Sequence, residues 1–143
     1  MHDALKDHDF SSPNIKMFFI SAAFGVVGAS ANRDKFGNKV LRCYQHYHLP
    51  VYPVNPNEKE IEGMLCLRRV ADLPKEVKSI SIITPPAITE DIVDQAIAQG
   101  IQHVWMQPGA ESVEAVRKCK ENHINVIADG SCILRELKFR TAS

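Results

Sequence analysis

The chain has 143 residues, 45% of them hydrophobic and 24% charged, with 17 basic and 17 acidic side chains and a formal net charge of +0. That length fits one domain with a real core, and two domains of ordinary size would not fit. Charge balance excludes a bulk electrostatic nucleic-acid binder, but not a small anionic ligand held by backbone N–H groups.

Residues 1–16 are polar, and Ser11-Ser12-Pro13-Asn14 reads as a turn or helix cap. A loosely ordered N-terminal segment is expected there, followed by one domain over 17–143. The apolar run Met17–Gly28 precedes small residues at Ala29, Ser30 and Ala31, which raises the question of a signal peptide. Its lead-in carries Asp3, Asp7 and Asp9 against Lys6 and Lys16, whereas a signal peptide needs a basic lead-in. At about 12 residues the run is also too short to cross a bilayer as a helix. It predicts a buried central strand centred on Phe24–Val27.

A helix is expected over about Lys35–His48, with Phe36, Val40, Tyr44 and Tyr47 or His48 on one face, stopped by Leu49-Pro50. Val51–Val54 predicts a short strand. Pro53 cannot donate to a ladder, so this strand belongs near the sheet edge. Residues 58–75 are less regular: Ile61 and Met64–Leu67 suggest a short strand or turn, and Val70–Leu73 a helical turn before Pro74. Ser79–Ile83 is a β-branched strand ending at Thr84-Pro85-Pro86. Thr89 is expected to cap a helix running to Gln99, with Ile88, Ile92, Val93, Ala96 and Ile97 as its inner face and Gly100 as its stop. His103–Met106 predicts a strand, Glu111–Asn122 a helix with Lys118 and Lys120 near its end, and Asn125–Ala128 a last strand. Alternating strands and helices with two-face-buried strands imply an α/β fold: a doubly wound, mostly parallel sheet in a Rossmann-like three-layer sandwich.

Ligands of such sheets sit beyond the carboxyl ends of the strands. Those ends read Gly28-Ala29-Ser30, Asn55-Pro56, Thr84-Pro85-Pro86, Gln107-Pro108-Gly109 and Asp129-Gly130-Ser131. They hold Gly, Pro and uncharged hydrogen-bonding groups, with no recognisable acid–base or nucleophile constellation. That suits polyphosphate binding through backbone amides better than catalysis. The dinucleotide fingerprint GxGxxG is incomplete: Ser30 and Arg33 stand at its second and third glycine positions. The second strand ends in Asn55 where an NAD enzyme carries an acid for the ribose. Both departures argue against NAD. Ser30, Arg33 and Lys35 together could hold phosphate at a helix start, or Arg33 and Lys35 could simply be solvated.

Val26-Val27-Gly28-Ala29-Ser30, Lys35-Phe36-Gly37, Val54-Asn55-Pro56, Ile83-Thr84-Pro85-Pro86 and Trp105-Met106-Gln107-Pro108-Gly109-Ala110 resemble the stand-alone CoA-binding proteins. Those are similar to the N-terminal CoA-binding domain of the succinyl-CoA synthetase α subunit. The resemblance runs from about Phe24 to Cys132 and implies a coenzyme A or acyl-CoA ligand. It implies a phosphate loop from Gly28, Ala29, Ser30 and Arg33 with Lys35 nearby. Asn55 and Pro56 would line the adenosine side. Thr84, Pro85 and Pro86 would flank the nucleotide and the start of the pantetheine arm, and Gln107, Pro108 and Gly109 would border the same cleft. The synthetases carry a phosphorylated histidine in a second domain, which this chain stops short of, and none of its six His lies in a recognisable phospho-acceptor loop. Non-catalytic CoA binding is therefore the expectation. The alternatives are an NAD(P)-dependent enzyme, the CoA-binding subunit of a split acyl-CoA ligase, or a CoA-linked redox or regulatory module. Such relatives often carry Gly where His123 stands, so His123 must adopt a left-handed conformation or the helix must end differently.

Cys43, Cys66, Cys119 and Cys132 show no CxxC and no zinc spacing, so reduced thiols in the cytoplasm and no metal site are expected. Cys132, at a strand end, could form a mixed disulfide with CoA, or it could be an ordinary buried thiol. His46 and His48 point to different sides of a helix and do not suit a metal. A membrane partner and nucleic acid are not expected; a protein partner or homo-oligomer remains open.

Overall fold

The computed structural model describes residues 2–141. The strands are β1 (Ala23–Val27), β2 (Val51–Val54), β3 (Glu60–Ile61), β4 (Met64–Leu65), β5 (Val77–Ile82), β6 (His103–Met106) and β7 (Asn125–Ile127). The helices are α1 (Pro13–Phe18), α2 (Phe36–His46), α3 (Pro86–Gln99), α4 (Val113–Glu121) and α5 (Ile133–Glu136). One five-stranded sheet runs in the order β2-β1-β5-β6-β7, and every neighbouring pair is parallel. The chain leaves β1 toward β2 on one side, then crosses back to β5 on the other. Strand order therefore reverses between β1 and β5.

The sheet is covered on both faces. Phe24, Val26 and Trp105 point into one core with Phe18 of α1, Val40, Leu41 and Tyr44 of α2, and Ile133 of α5. Val27, Ile80, Ile82, Val104 and Met106 point into the other, against Val93 and Ala96 of α3 and Ala115 and Cys119 of α4. This is the expected three-layer arrangement. Two serines of β5 face the aromatic core, and each is satisfied there: Ser79 Oγ donates to the Phe18 carbonyl (2.6 Å), and Ser81 Oγ pairs with the Tyr44 hydroxyl (2.8 Å).

As Pro53 requires, β2 is an edge strand. Its free side is covered by the segment after the β3–β4 hairpin: Leu67 N donates to Pro53 O (2.9 Å), and Asn55 N donates to Leu67 O (2.8 Å). The irregular stretch 58–75 is thus an edge cover that ends in a single helical turn at Val70–Asp72.

Several boundaries differ from expectation. Within residues 2–16, Leu5 and Ile15 are buried in the aromatic core, and Ser12 caps α1 through Ile15 N. Their apolar spacing is sparse, which hid them among polar neighbours. α3 begins at Pro86, whose fixed φ suits the first helical position, and Thr89 is inside the helix. Thr89 Oγ1 instead pairs with Thr84 Oγ1 (2.8 Å). The buried stripe of α3 is Thr89, Val93 and Ala96, while Ile88 is 46% exposed. α5 was not foreseen, because it is barely one turn long.

His123 does adopt the left-handed conformation, with φ +58°, just past α4. Its side chain is exposed. A Cβ in that region costs about 1 kcal/mol relative to Gly. His123→Gly should therefore raise the stability measured by urea unfolding by about 1 kcal/mol; an unchanged midpoint would contradict this.

His103 is half-buried, and burial holds its pKa below the usual histidine range. Its Nδ1 accepts from Asn125 Nδ2 (3.0 Å), a bond that needs a neutral ring nitrogen. The unfolded chain therefore binds a proton that the folded chain resists. The stability linked to His103 is complete above a pH of about 6.5 and declines as pH falls toward the folded-state value. Urea midpoints at about pH 7.5 and pH 5.5 should differ less in His103→Gln than in the wild type.

Candidate functional site

A cleft of about 820 Å³ opens at the carboxyl ends of β1, β2 and β5, where strand order reverses. Its floor is Val27–Ser30, Val54–Asn57 and Ile83–Pro85. Gly28 ends β1 with φ +92°, and its N–H donates to Val54 O (3.0 Å). A Cβ there would lie 2.0 Å from the Ile83 carbonyl oxygen. Gly37, in the first turn of α2, sits just as tightly: its Cβ would lie 2.1 Å from Gly28 O. Close approach of helix to strand is the job of the third glycine in GxGxxG. Here Gly37 does that job, four residues beyond Arg33. The sequence fingerprint looked broken because the loop before the helix is longer.

That loop is held from inside. Ser30 Oγ accepts from Asn32 N (3.1 Å), and Asn38 Nδ2 donates to Ser30 O (2.9 Å). Asn55 Nδ2 donates to Ala29 O (2.8 Å), tying the ends of β1 and β2 together, and its Oδ1 accepts from Asn57 N (2.8 Å). Asn55 thus holds the backbone in shape at the position where an NAD enzyme would present an acid.

α2 starts at Phe36 with Lys35 as its N-cap, and no side chain caps it. Lys35, Phe36 and Gly37 all line the cleft. The first-turn N–H groups of a helix are left without intrahelical acceptors, and they favour an anion. Arg68 and Arg69, both exposed, also line the cleft. Arg69 also pairs with Asp72 at 3.5 Å. Asp34 and Asp91 are the acids on the wall, and Ile88, Ile92 and Gln95 of α3 complete it.

Of the residues singled out from sequence, Gly28, Ala29, Ser30, Lys35, Asn55, Pro56, Thr84 and Pro85 line this cleft. Arg33, Pro86 and Gly109 do not. The Arg33 guanidinium is turned to Glu62 at 3.6 Å instead. Gln107, Pro108 and Cys132 line a smaller chamber of about 470 Å³, whose walls share Phe36 and Ile83 with the cleft. Cys132 is half-buried, whereas Cys43, Cys66 and Cys119 are buried; all four are free thiols. Burial pushes the Cys43 thiol up to about 12 and that of Cys119 to about 11. Sequence reasoning missed Arg68 and Arg69. An adjacent arginine pair beside an edge strand was the available signal, obscured by the irregular stretch around it.

Among the described residues no group of His, Cys, Asp and Glu is placed to hold a metal ion, and no helix is long and apolar enough to cross a membrane.

A parallel five-stranded sheet covered by helices on both faces, with a glycine-lined cleft at its switch point, defines a Rossmann-like α/β domain. Residues 22–138 match the CoA binding domain family, and the chain belongs to that family. It is 30% identical over 99 residues to the ADP-forming acetate–CoA ligase II of Archaeoglobus fulgidus, a match covering 68% of this chain and 15% of that protein. It is also 30% identical over 88 residues to the α subunit of the corresponding Pyrococcus furiosus enzyme, covering 61% of this chain and 19% of the subunit. The chain thus spans under a fifth of either relative. Among solved structures, a conserved hypothetical protein from Pyrococcus furiosus superposes with a TM-score of 0.76 at 38% identity, covering 80% of this chain and 97% of that one.

Proposed function

We propose that this protein binds coenzyme A or an acyl-CoA, without catalysis of its own, in the cleft at the ends of β1, β2 and β5. The observation that carries this reading is the N-terminus of α2, without a side-chain cap and brought against Gly28 by Gly37, in a cleft that Lys35, Arg68 and Arg69 also line. The CoA diphosphate would lie on that helix end, accepting from its free N–H groups. The adenosine would lie toward Asn55-Pro56, and the pantetheine arm would leave past Thr84 and Phe36. Family membership supports CoA over other nucleotides, and Asn55 at the end of β2 weighs against NAD. The four free thiols agree with a cytoplasmic setting.

Calorimetric titration with CoA, and separately with NAD, tests this reading. Saturable binding of CoA and none of NAD is the expected result. No heat and no thermal shift at millimolar CoA would overturn it.

A second reading has its own support. The Pyrococcus furiosus relative is a ligase α subunit, so this chain could supply CoA binding to a catalytic partner chain. Co-purification of an ATP-binding protein in stoichiometric amount from native cells would favour that reading.

A further inference from the structure

The wall of the smaller chamber includes a side chain, Gln107, whose polar atoms the fold only half satisfies. Gln107 is 3% exposed, and its Oε1 accepts from Ile133 N at 3.3 Å. Its Nε2 is buried and has no hydrogen-bond partner. The amide cannot be turned round to relieve this, because Ile133 N is a donor and needs the oxygen. Buried amide donors in native proteins are nearly always paired, so the vacant Nε2 calls for an acceptor.

The rest of the wall indicates what kind of molecule brings it. Phe36, Ile83, Pro108, Leu134 and Cys132 make the lining largely apolar, and the charged residue on it, Arg135, is exposed at its rim. Phe36 stands where cleft and chamber meet, and it is 59% exposed although it is a large aromatic. The Trp105 Nε1 bond to Ser131 O (2.9 Å) pins the β7 loop, which carries Gly130 and Cys132 into the wall. The chamber is therefore a largely apolar cavity beside the cleft, with the half-satisfied Gln107 amide buried in its wall.

We propose that this chamber is the acyl subsite: it receives the acyl end of a short-chain acyl-CoA, and Gln107 Nε2 donates to the thioester carbonyl oxygen. The inference rests on the CoA reading above. A free thiol offers only a weak acceptor, whereas a thioester brings a carbonyl oxygen and an apolar chain together. The site thereby discriminates acylated from free CoA, and Gln107 is its specificity-determining residue.

Calorimetry with CoA and with butyryl-CoA, on wild type and on Gln107→Glu, tests this. Glu keeps an acceptor for Ile133 N and replaces the donor with a second acceptor. Wild type should bind butyryl-CoA about tenfold more tightly than CoA, and the ratio should fall to about one in Gln107→Glu. A readout on wild type alone guards against a variant that fails to fold. Alkylation of Cys132 by iodoacetamide, followed by intact mass, should be slowed more by saturating butyryl-CoA than by saturating CoA. Equal affinities with equal protection would overturn the acyl subsite while leaving CoA binding in place. A Gln107→Glu loss of the same size for both ligands would assign Gln107 to the pantetheine arm and overturn it too. No binding of either ligand would overturn the CoA reading and this inference together.

Discussion

Gly37→Ala should remove about 3 kcal/mol of stability, the upper end of the cost of overpacking a tight contact, and abolish CoA binding with it. The new methyl group would stand 2.1 Å from the Gly28 carbonyl oxygen and 3.2 Å from the Ala29 Cα. Both are backbone atoms at the end of a central strand, so no side-chain rotation relieves the clash. The first turn of α2 must move away from β1, and the helix end that faces the cleft moves with it. Gly28→Ala should cost more still, because it adds a left-handed φ of +92° to a 2.0 Å clash with Ile83 O. Gly109→Ala separates the two effects. It also has a positive φ, +95°, but open space around its Cβ, so about 1 kcal/mol is expected. Urea unfolding of the three variants should give the order Gly28→Ala, Gly37→Ala, Gly109→Ala from most to least damaging. A Gly37→Ala variant as stable as wild type would refute the close helix–strand contact.

Replacing Arg68 and Arg69 together by alanine should weaken CoA binding about 100-fold while leaving the unfolding midpoint nearly unchanged. A hydrogen bond to a charged group is worth roughly 1.5–3 kcal/mol, so losing both groups readily reaches that factor. Their contribution to folding is small. Both are exposed, Arg68 enters none of the ion pairs among the described residues, and the Arg69–Asp72 pair is on the surface. The residual binding should also lose much of its salt dependence. Arg33→Ala provides the contrast, because its guanidinium is turned to Glu62 and away from the cleft. It should change affinity less than about threefold, as expected of a weak surface pair. If Arg33→Ala proved the more damaging change, the phosphate loop would have to reorganise around CoA.

The sheet and its cleft were legible in the sequence for physical reasons. Strands buried on both faces are rich in apolar residues: β1 is wholly so, and β5 and β6 carry Val77, Ile80, Ile82, Val104, Trp105 and Met106. Pro53 marked the edge, and the loops at the strand ends carried their Gly, Pro and Asn in plain view. What was not legible depended on contacts between distant parts of the chain. Leu5 and Ile15 look isolated until the aromatic core closes over them. Thr89 looks like a helix cap until Pro86 takes the first helical position. Gly37 stands in the Lys35-Phe36-Gly37 motif, but its packing role is set by the Gly28 carbonyl lying against it in the fold. Arg33 and Arg68 could not be ranked from sequence at all, because the hairpin that brings Glu62 to one and the cleft to the other has no strong local pattern. That Gln107 Nε2 is buried without a protein partner is likewise a property of the folded wall.

Whether CoA occupies the cleft at the ends of β1, β2 and β5 is tested by amide chemical shifts of the 15N-labelled protein, followed by two-dimensional NMR during a CoA titration. Saturable shifts are expected to concentrate at Gly28–Ser30, Phe36 and Gly37, Asn55 and Asn57, Arg68 and Arg69, and Ile83 and Thr84. Shifts absent from these amides, or confined to the opposite end of the sheet, would contradict it.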